Sequence, residues 1–297
     1  MNILITGHKG FIGRNLVEAF KGDSKYNVYG ADLKTSQDIN FMDVHGKNMP
    51  HIDRVYHLAA TSDIRDSFTN PDQMFKNNVT GTYALLNWMR KTDVKEIVFA
   101  SSSSVYGKAR MMPTPEIMST NPISHYAASK VAGESFIRSF CHLYGMKGLI
   151  FRFANVVGPH LAGGAIYDIT RKLEKDPYNL EVLGDGKQRK SYMYVGDCAD
   201  ALTTTPMLKE VETYNLSSQD NISVDDLVQV ICDYMHVQPT QISYTGGDGG
   251  WPGDVPITNM DITKALSTGW VPIWNSKQTI VRTLSMRSSW KDVSTEE

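Results

Sequence analysis

Short apolar runs alternate along the first half of the chain with segments whose apolar residues recur every three or four positions. The apolar runs predict buried strands at Asn2–Thr6, Asn27–Ala31, Arg54–Ala59, Glu96–Ser101 and Gly148–Phe153. The helical period predicts helices at Phe11–Phe20, Asp72–Arg90 and Ser124–Leu143. Because strands separated by helices form parallel sheets, we expect an α/β fold with a doubly wound parallel sheet.

After about residue 155 the pattern changes, since glycine and proline interrupt the chain and the predicted elements become shorter. We expect residues 1–155 to form the first domain, with some later segments returning to it. Residues 156–297 then form mainly a smaller C-terminal lobe. Within this lobe we expect a glycine-rich loop at Gly246–Gly253 and irregular structure at Trp270–Ser276, and we expect the polar tail from Ser288 to fray.

Composition excludes several classes of protein. With 41% apolar residues, 21% charged residues and a net charge of −2, the chain has no basic surface for nucleic acid or an anionic membrane. No apolar stretch approaches 18 residues, and the eight histidines lack metal-ligand spacing. The three cysteines are too few and too far apart for a disulfide framework, and we see no targeting segment, so we expect a cytoplasmic protein without metal.

Three glycines, Gly7, Gly10 and Gly13, lie between the first predicted strand and the first predicted helix. In that context glycines allow a tight turn and a close approach of backbone N–H groups to a pyrophosphate at the helix N-terminus. Asp32 ends the second strand, where a carboxylate can bind the adenosine ribose hydroxyls and would repel a 2′-phosphate. The pattern predicts a dinucleotide site that prefers NAD to NADP.

Candidate chemistry lies farther along the chain. Tyr126 and Lys130 are four residues apart on one face of a predicted helix. The lysine ammonium, together with a positive nicotinamide ring, is expected to lower the pKa of the phenol from about 10 toward neutrality, which would make it a usable base. Ser102 follows a predicted strand at the sheet edge where open α/β sheets bind ligands, and its hydroxyl could bond a reacting sugar oxygen.

The order and spacing of these three motifs, with Val105-Tyr106-Gly107 after Ser102, resemble the extended short-chain dehydrogenase/reductase family. Within it the chain is most similar to the UDP-glucose 4-epimerases of the NAD-dependent epimerase/dehydratase group. The likeness runs nearly end to end and includes Arg152-Phe153-Ala154-Asn155 and Gly184-Asp185-Gly186. It implies a Rossmann-type NAD domain, a C-terminal lobe for a nucleotide sugar, and a homodimer that forms through the helices near Asp72–Arg90 and Ser124–Leu143.

The resemblance also implies roles for individual residues. Tyr126 matches the family's catalytic base, Lys130 the partner that also holds the nicotinamide ribose, and Ser102 the hydroxyl that bonds the substrate. Cofactor positions implied besides the three glycines and Asp32 are Phe11, Ile12, Asp43, Val44, Leu58, Ala59, Ala60, Asn77 and Ala154, together with Tyr126 and Lys130. The implied substrate positions are Ser102, Asn155 at the diphosphate, Arg189 and Lys190 at the phosphates, Asp254 at the nucleoside and Thr258 near the position that gates sugar size.

Departures from the family pattern bear on the reaction. Relatives that dehydrate the sugar carry an Asp-Glu pair directly after the hydroxyl residue, and decarboxylating relatives carry Glu at the second place, whereas this chain has Ser103 and Ser104. Serines there favour a 4-epimerase of a UDP-hexose, plain or N-acetylated. A 4-keto reductase, a 4,6-dehydratase, a decarboxylase and a non-catalytic dinucleotide-sensing protein remain alternatives. Lys190 replaces the family's arginine, and His125 stands where proline is usual, with no role assigned to it.

Overall fold

The structure, a computed structural model, describes residues 1–32 and 50–290, without the side chain of Asp66. The strands are β1 (Asn2–Thr6), β2 (Asn27–Ala31), β3 (Arg54–His57), β4 (Glu96–Ser102), β5 (Lys147–Phe153), β6 (Asn155–Val157), β7 (Asn179–Val182), β8 (Arg189–Lys190), β9 (Tyr192–Tyr194), β10 (Val211–Leu216), β11 (Ile222–Ser223) and β12 (Gln241–Tyr244). In the described part of the chain, six of these strands form one parallel sheet in the order β10-β5-β4-β3-β1-β2. The expected α/β class with a parallel sheet is confirmed.

The helices are α1 (Phe11–Phe20), α2 (Ile64–Thr69), α3 (Pro71–Met74), α4 (Gly81–Lys91), α5 (His125–Tyr144), α6 (Ala165–Lys175), α7 (Val195–Thr204), α8 (Val224–Met235), α9 (Thr263–Leu266) and α10 (Ser276–Ser285). A π-helical segment, Phe75–Thr80, joins α3 to α4, and short 3₁₀ turns cover Ser103–Tyr106 and Arg287–Ser289. The residues expected to form one helix, Asp72–Arg90, are therefore divided among α3, the π-helical segment and α4. The strand expected at Arg54–Ala59 ends at His57, because Leu58 and Ala59 turn toward the glycine loop.

Alternate side chains of the central strands point to opposite faces of the main sheet. On one face Ile3, Ile5 and Phe151 pack in a core with residues of α1 and α7. On the other face Leu4 and Ile150 pack with residues of α4 and α5. Since each strand is buried on both faces, its sequence is continuously apolar, which is why the strands could be predicted.

The C-terminal lobe has its own core, formed by α6, α8, α10 and short strands. Its strands pair two by two, as β6 with β9, β7 with β12 and β8 with β11. Strand β10 follows β9 and α7 in the chain but lies in the main sheet beside β5. Across residues 1–32 and 50–290, no helix has the length and apolar character needed to cross a membrane.

Candidate active site

Ser102 and Tyr126 meet at the carboxyl edge of the main sheet. Ser102 is the last residue of β4, and its Oγ accepts hydrogen bonds from Ser104 N at 3.2 Å and Ser104 Oγ at 2.9 Å. Tyr126 lies in the first turn of α5 and is hydrogen-bonded to the Ser102 side chain. The helix begins where it does because Ser124 caps it, with Oγ accepting from Ala127 N at 3.1 Å.

Lys130 lies one helical turn beyond Tyr126 and is 4% exposed. Its Nζ donates to the Ala100 carbonyl of β4 at 2.8 Å and lies 5.7 Å from the centroid of the Tyr126 ring. The bond to Ala100 ties α5 to β4, the strand that ends at Ser102. The structure therefore brings together the three residues that the sequence selected.

The glycine turn between β1 and α1 leaves room for backbone alone. Gly7 has φ +73°, and a Cβ on Gly13 would lie 2.1 Å from the Gly7 carbonyl oxygen. A Cβ on Gly7 would lie 2.7 Å from Ala59 N. Gly10 is the N-cap of α1 and offers no side-chain cap, so the first-turn N–H groups of the helix face outward at this turn.

Other expected cofactor positions surround the turn. Asp32 follows β2, and its Oδ2 accepts from Lys9 N at 3.1 Å, which places the carboxylate beside the glycines. Leu58, Ala59 and Ala60 follow β3 and are half-buried, while Asn77 donates from Nδ2 to Thr61 Oγ1 at 2.9 Å in the same loop.

Three further expected positions lie in or against the apolar cores. Phe11 and Ile12 pack against the lobe core and the sheet core, and Ala154 is buried beneath Tyr106. Asp43 and Val44 lie outside the described residues.

The expected substrate positions divide into two groups. Lys190 Nζ donates to Asp254 Oδ1 at 2.8 Å and also contacts the Val255 carbonyl, so the two charges are paired. Gly253, at φ +86°, packs so closely against Ile123 and Ser124 that its Cβ would lie 3.0 Å from both. This contact places Asp254 beside the N-terminus of the catalytic helix.

Arg189 does not join this pair. Its Nε donates to Asn221 Oδ1 at 2.7 Å on an exposed surface, because adjacent residues of a strand point to opposite sides. Thr258 N donates to the Arg189 carbonyl at 2.9 Å, and Asn155 begins β6 with an exposed side chain. The structure therefore pairs Lys190 with Asp254 and separates the side chains of the two cations that the sequence had grouped.

A sheet of this order and a Ser-Tyr-Lys set at its carboxyl edge agree with a match between residues 3–217 and the NAD dependent epimerase/dehydratase family. The chain belongs to this family. A putative UDP-glucose 4-epimerase of Methanocaldococcus jannaschii is 33% identical over 95% of this chain and 97% of its own length. A crystal structure of a UDP-galactose 4-epimerase is 34% identical with a TM-score of 0.87, covering 97% of this chain and 99% of that one. MoeE5, crystallised with UDP-glucuronic acid and NAD, is 25% identical with a TM-score of 0.87 and the same coverage.

Enzymes of the epimerase/dehydratase family use NAD, and the glycine turn of this chain fits that cofactor. The space that Cβ atoms would fill at Gly7 and Gly13 is closed by backbone, so only glycines permit the turn. If NAD binds here, the uncapped first turn of α1 would supply N–H donors for its pyrophosphate, and Asp32 would supply an acceptor for its ribose hydroxyls.

The pKa values of the catalytic pair differ from the sequence-based expectation. Burial raises the pKa of the Tyr126 phenol to about 12, and the hydrogen bond with Ser102 opposes this only in part. Burial also lowers the pKa of the Lys130 ammonium to about 8, against the smaller effect of the Glu134 carboxylate. The sequence-based expectation concerned the phenol beside both the ammonium and a nicotinamide cation, whereas burial alone acts to raise the pKa of the phenol.

Two polar residues of the site were missed in the sequence. Asn78 is 3% exposed, its Oδ1 accepts from Thr61 N at 2.8 Å and its Nδ2 donates to Ser129 Oγ at 3.0 Å, so it ties α5 to the loop after β3. His57 is buried between Thr6 and Thr82 at 2.7 and 2.9 Å. Neither residue lies in a spacing that signals chemistry, although both fall in segments that resemble the family.

Proposed function

We propose that this enzyme is a 4-epimerase of a UDP-hexose, glucose/galactose or their N-acetyl forms, that works by transient oxidation at C4. The observation that carries the proposal is the convergence of Ser102, Tyr126 and Lys130 at the carboxyl edge of the sheet. The similar proteins named above support it, since two of the three are named as UDP-sugar 4-epimerases.

Bound NAD supplies a hydride acceptor that later returns the hydride. In the proposed reaction Tyr126 accepts the proton of the sugar 4-hydroxyl as that carbon is oxidised, and returns it after the keto sugar has turned over in the cleft. Ser102 hydrogen-bonds the same oxygen, and the Lys130 ammonium stabilises the phenolate and holds the nicotinamide ribose. Proton and hydride both return to the substrate, so the net reaction is an isomerisation.

The hydroxyls after Ser102 favour epimerisation over dehydration. Elimination of water needs an acid and a base beside the sugar, and here Ser104 is 7% exposed and donates to Ser102 instead. The Glu116 carboxylate accepts from Asn215 N of β10 at 2.8 Å. A 4-keto reductase would use the same three residues but would consume added NADH.

On the substrate side we propose that Asn155 and Lys190 bind the diphosphate and Asp254 the nucleoside. Thr258 near the sugar is small enough to admit an N-acetyl group. The guanidinium of the exposed Arg189 bonds Asn221 in this structure. We propose that Arg189 acts at the phosphates only when strand β8 has rearranged.

The assay is incubation of the purified protein with UDP-glucose, UDP-galactose, their N-acetyl forms, UDP-glucuronic acid and GDP-sugars, followed by chromatographic separation. We expect interconversion of a 4-epimer pair without added NADH. Tyr126→Phe should lower turnover by roughly 100-fold or more, because it removes the acid–base group. Unchanged turnover in this variant, stoichiometric NADH consumption, or no conversion of any UDP-sugar would each contradict the proposal.

We infer further that the enzyme is a homodimer. Five aromatic residues of the π segment, α4 and α5 are called here the aromatic face: Phe75, Tyr83, Phe136, Phe140 and Tyr144. The Tyr83 ring contacts the rings of Phe136 and of Phe140, which is buried, and the Phe140 ring contacts that of Tyr144. Phe75 is 61% exposed and Tyr83 47% exposed, and exposed clusters of this kind mark interfaces.

The cysteines, all three within the described residues and all free and buried, support a cytoplasmic location.

A further inference from the structure

A buried ion pair lies beneath the catalytic residues. Arg152 of β5 donates to Glu134 of α5 through Nε at 2.9 Å and through Nη2 at 2.6 Å. Both side chains are 5% exposed. Two parallel charge-assisted bonds of this kind fix the carboxylate in one orientation.

Glu134 also contacts the strand that carries the substrate-binding serine. Ser101 Oγ donates to Glu134 Oε1 at 2.6 Å, and Ser101 directly precedes Ser102. Within α5, Glu134 lies one turn after Lys130 on the same side of the helix, and Lys130 lies one turn after Tyr126. One carboxylate thus connects the catalytic helix, the end of β4 and β5.

The Glu134 carboxylate also acts on its neighbours through its negative charge. It lies between two buried cations, Lys130 and Arg152. Arg152 has other acceptors, since Nη1 donates to Tyr106 Oη at 2.9 Å and to the Glu116 carbonyl at 3.1 Å. For Lys130, whose Nζ donates to the uncharged Ala100 carbonyl, Glu134 supplies the opposing charge.

The groups that face Lys130 come from three elements. Tyr126 and Glu134 lie on its own helix, His57 lies on β3, and the Phe99 ring of β4 is 5.1 Å away. Burial lowers the pKa of His57 to about 3, so His57 is neutral at working pH. Glu134 is the carboxylate of this set.

We propose that Glu134 is a positioning residue of the active site, whose carboxylate orients the Lys130 ammonium and, through Ser101, the end of β4 that carries Ser102. The inference rests on the proposed function, because it is in that reaction that the Lys130 charge stabilises the Tyr126 phenolate. Glu134 itself does not touch the substrate.

The test compares Glu134→Gln with the double variant Glu134→Gln/Arg152→Met. The single variant removes the counter-charge of both Lys130 and Arg152, whereas the double variant also replaces Arg152 by an apolar side chain of similar length and should fold more stably than the single variant. Glu174→Gln, which removes the same charge from a half-exposed pair with Arg171 on α6, is the matched control.

Two quantities are measured for each variant: the pH dependence of turnover, and the titration of Lys130 by NMR of ¹³Cε-lysine-labelled protein, with the signal assigned by Lys130→Met. In Glu134→Gln we expect the Lys130 titration and the basic limb of the pH profile to move down by about 1 pH unit, because an opposite charge favours the ammonium. The double variant should keep a downward shift of the same sign, and Glu174→Gln should show none.

A purely structural role for Glu134 gives a different result. The double variant would then recover the wild-type pH profile and Lys130 titration together with its stability, which would overturn the proposal. An unchanged Lys130 titration in folded Glu134→Gln would do the same. If the wild-type enzyme converts no UDP-sugar, the proposed function fails, whereas the Lys130 titration still decides the role of Glu134.

Discussion

Burial is the largest influence on the pKa values of two side chains of the candidate site, Tyr126 and Lys130. Burial favours the neutral form of each, so the pKa of the phenol rises to about 12 and that of the ammonium falls to about 8. Both shifts work against the ion pair that the proposed reaction needs. The cation of bound NAD acts in the opposite direction on the phenol, so the base is expected to become active only in the loaded enzyme.

At Gly13 backbone packing decides the outcome of a substitution. In Gly13→Ala the new Cβ would lie 2.1 Å from the Gly7 carbonyl oxygen and 2.7 Å from His8 Cα, both main-chain atoms that cannot move aside cheaply. We expect a loss of about 1–3 kcal/mol in the free energy of unfolding. NAD affinity should fall about 10-fold or more, as measured by fluorescence titration.

Gly163→Ala is the control for this substitution, since no atom of the described residues lies within 4 Å of its added Cβ. It should leave both stability and NAD affinity unchanged. Normal NAD affinity in Gly13→Ala would mean that the glycine turn does not hold the dinucleotide.

His57 makes stability depend on pH. Its Nε2 bonds Thr82 Oγ1, which itself donates to the Asn78 carbonyl, so the ring is held in a neutral form between two hydroxyls. Burial lowers its pKa to about 3 from an ordinary value of about 6.5. The folded state therefore binds this proton less readily than the unfolded state. Its contribution to stability is complete above pH 6.5 and is lost as pH falls toward 3, at about 1.4 kcal/mol per pH unit.

Urea unfolding at pH 7, 6 and 5 measures this loss. His57→Asn cannot titrate, so its free energy of unfolding should fall less steeply between pH 6 and 5 than that of the wild type, although it starts lower. His51→Asn, at a side chain that is 64% exposed, should keep the wild-type slope. Equal slopes in all three proteins would show that His57 is not the group responsible.

At the scale of elements, periodicity predicts the strands and helices well where one physical cause dominates. The central strands are continuously apolar because both of their faces are covered, and α1 follows its glycine turn over the predicted residues. The π segment at Phe75–Thr80 could not be predicted, since it accommodates the buried side chain of Asn78, whose partners Thr61 and Ser129 are distant in sequence. Polar contacts across long sequence separations leave no periodic signal.

The candidate site likewise has residues that local sequence patterns predict and contacts that depend on distant parts of the chain. Ser102, Tyr126 and Lys130 were found because strand ends and helical spacing are local features. The separation of Arg189 from Lys190 depends on the pairing of β8 with β11, and the role of Glu134 depends on Arg152 in another strand. These facts follow from tertiary packing.

The cap of α5 offers a test of how one element supports catalysis. Ser124→Ala removes the acceptor for Ala127 N and should cost about 1 kcal/mol of stability, because a first-turn N–H group loses its partner. Since this turn carries Tyr126, we also expect turnover to fall by about 3-fold or more, beyond any effect on folding.

Ser223→Ala is the matched control, because Ser223 caps α8 in the same way, accepting from Asp226 N at 3.0 Å. It should show the same loss in thermal unfolding without a loss of turnover. If the two variants lose turnover equally, the cap of α5 has no special role in the site.

At the scale of the whole molecule, the C-terminal lobe contacts the elements that carry the candidate site. The lobe reaches the catalytic helix through Gly253, and Arg65 of α2 reaches the lobe through Asp168 at 3.2 Å and the Trp251 ring at 5.8 Å. These contacts join the lobe that carries Asp254 and Lys190 to the elements that carry Ser102 and Tyr126. A substrate of the proposed class, a nucleotide sugar, would bind residues of both parts.

The aromatic face lies on helices that also build the active site, so association and activity are expected to be linked. Phe75→Glu places a charge on the aromatic face at a residue that is 61% exposed, and a two-fold interface through this face would bring two such charges together. We expect the wild-type chain to sediment as a dimer at micromolar concentration and the variant as a monomer with reduced turnover, since Asn77 lies two residues away in the same π segment. Ile273→Glu, at a residue 75% exposed before α10, tests whether any exposed apolar position has this effect, and it should remain dimeric. A monomeric wild type, or a dimeric Phe75→Glu, would place the interface elsewhere.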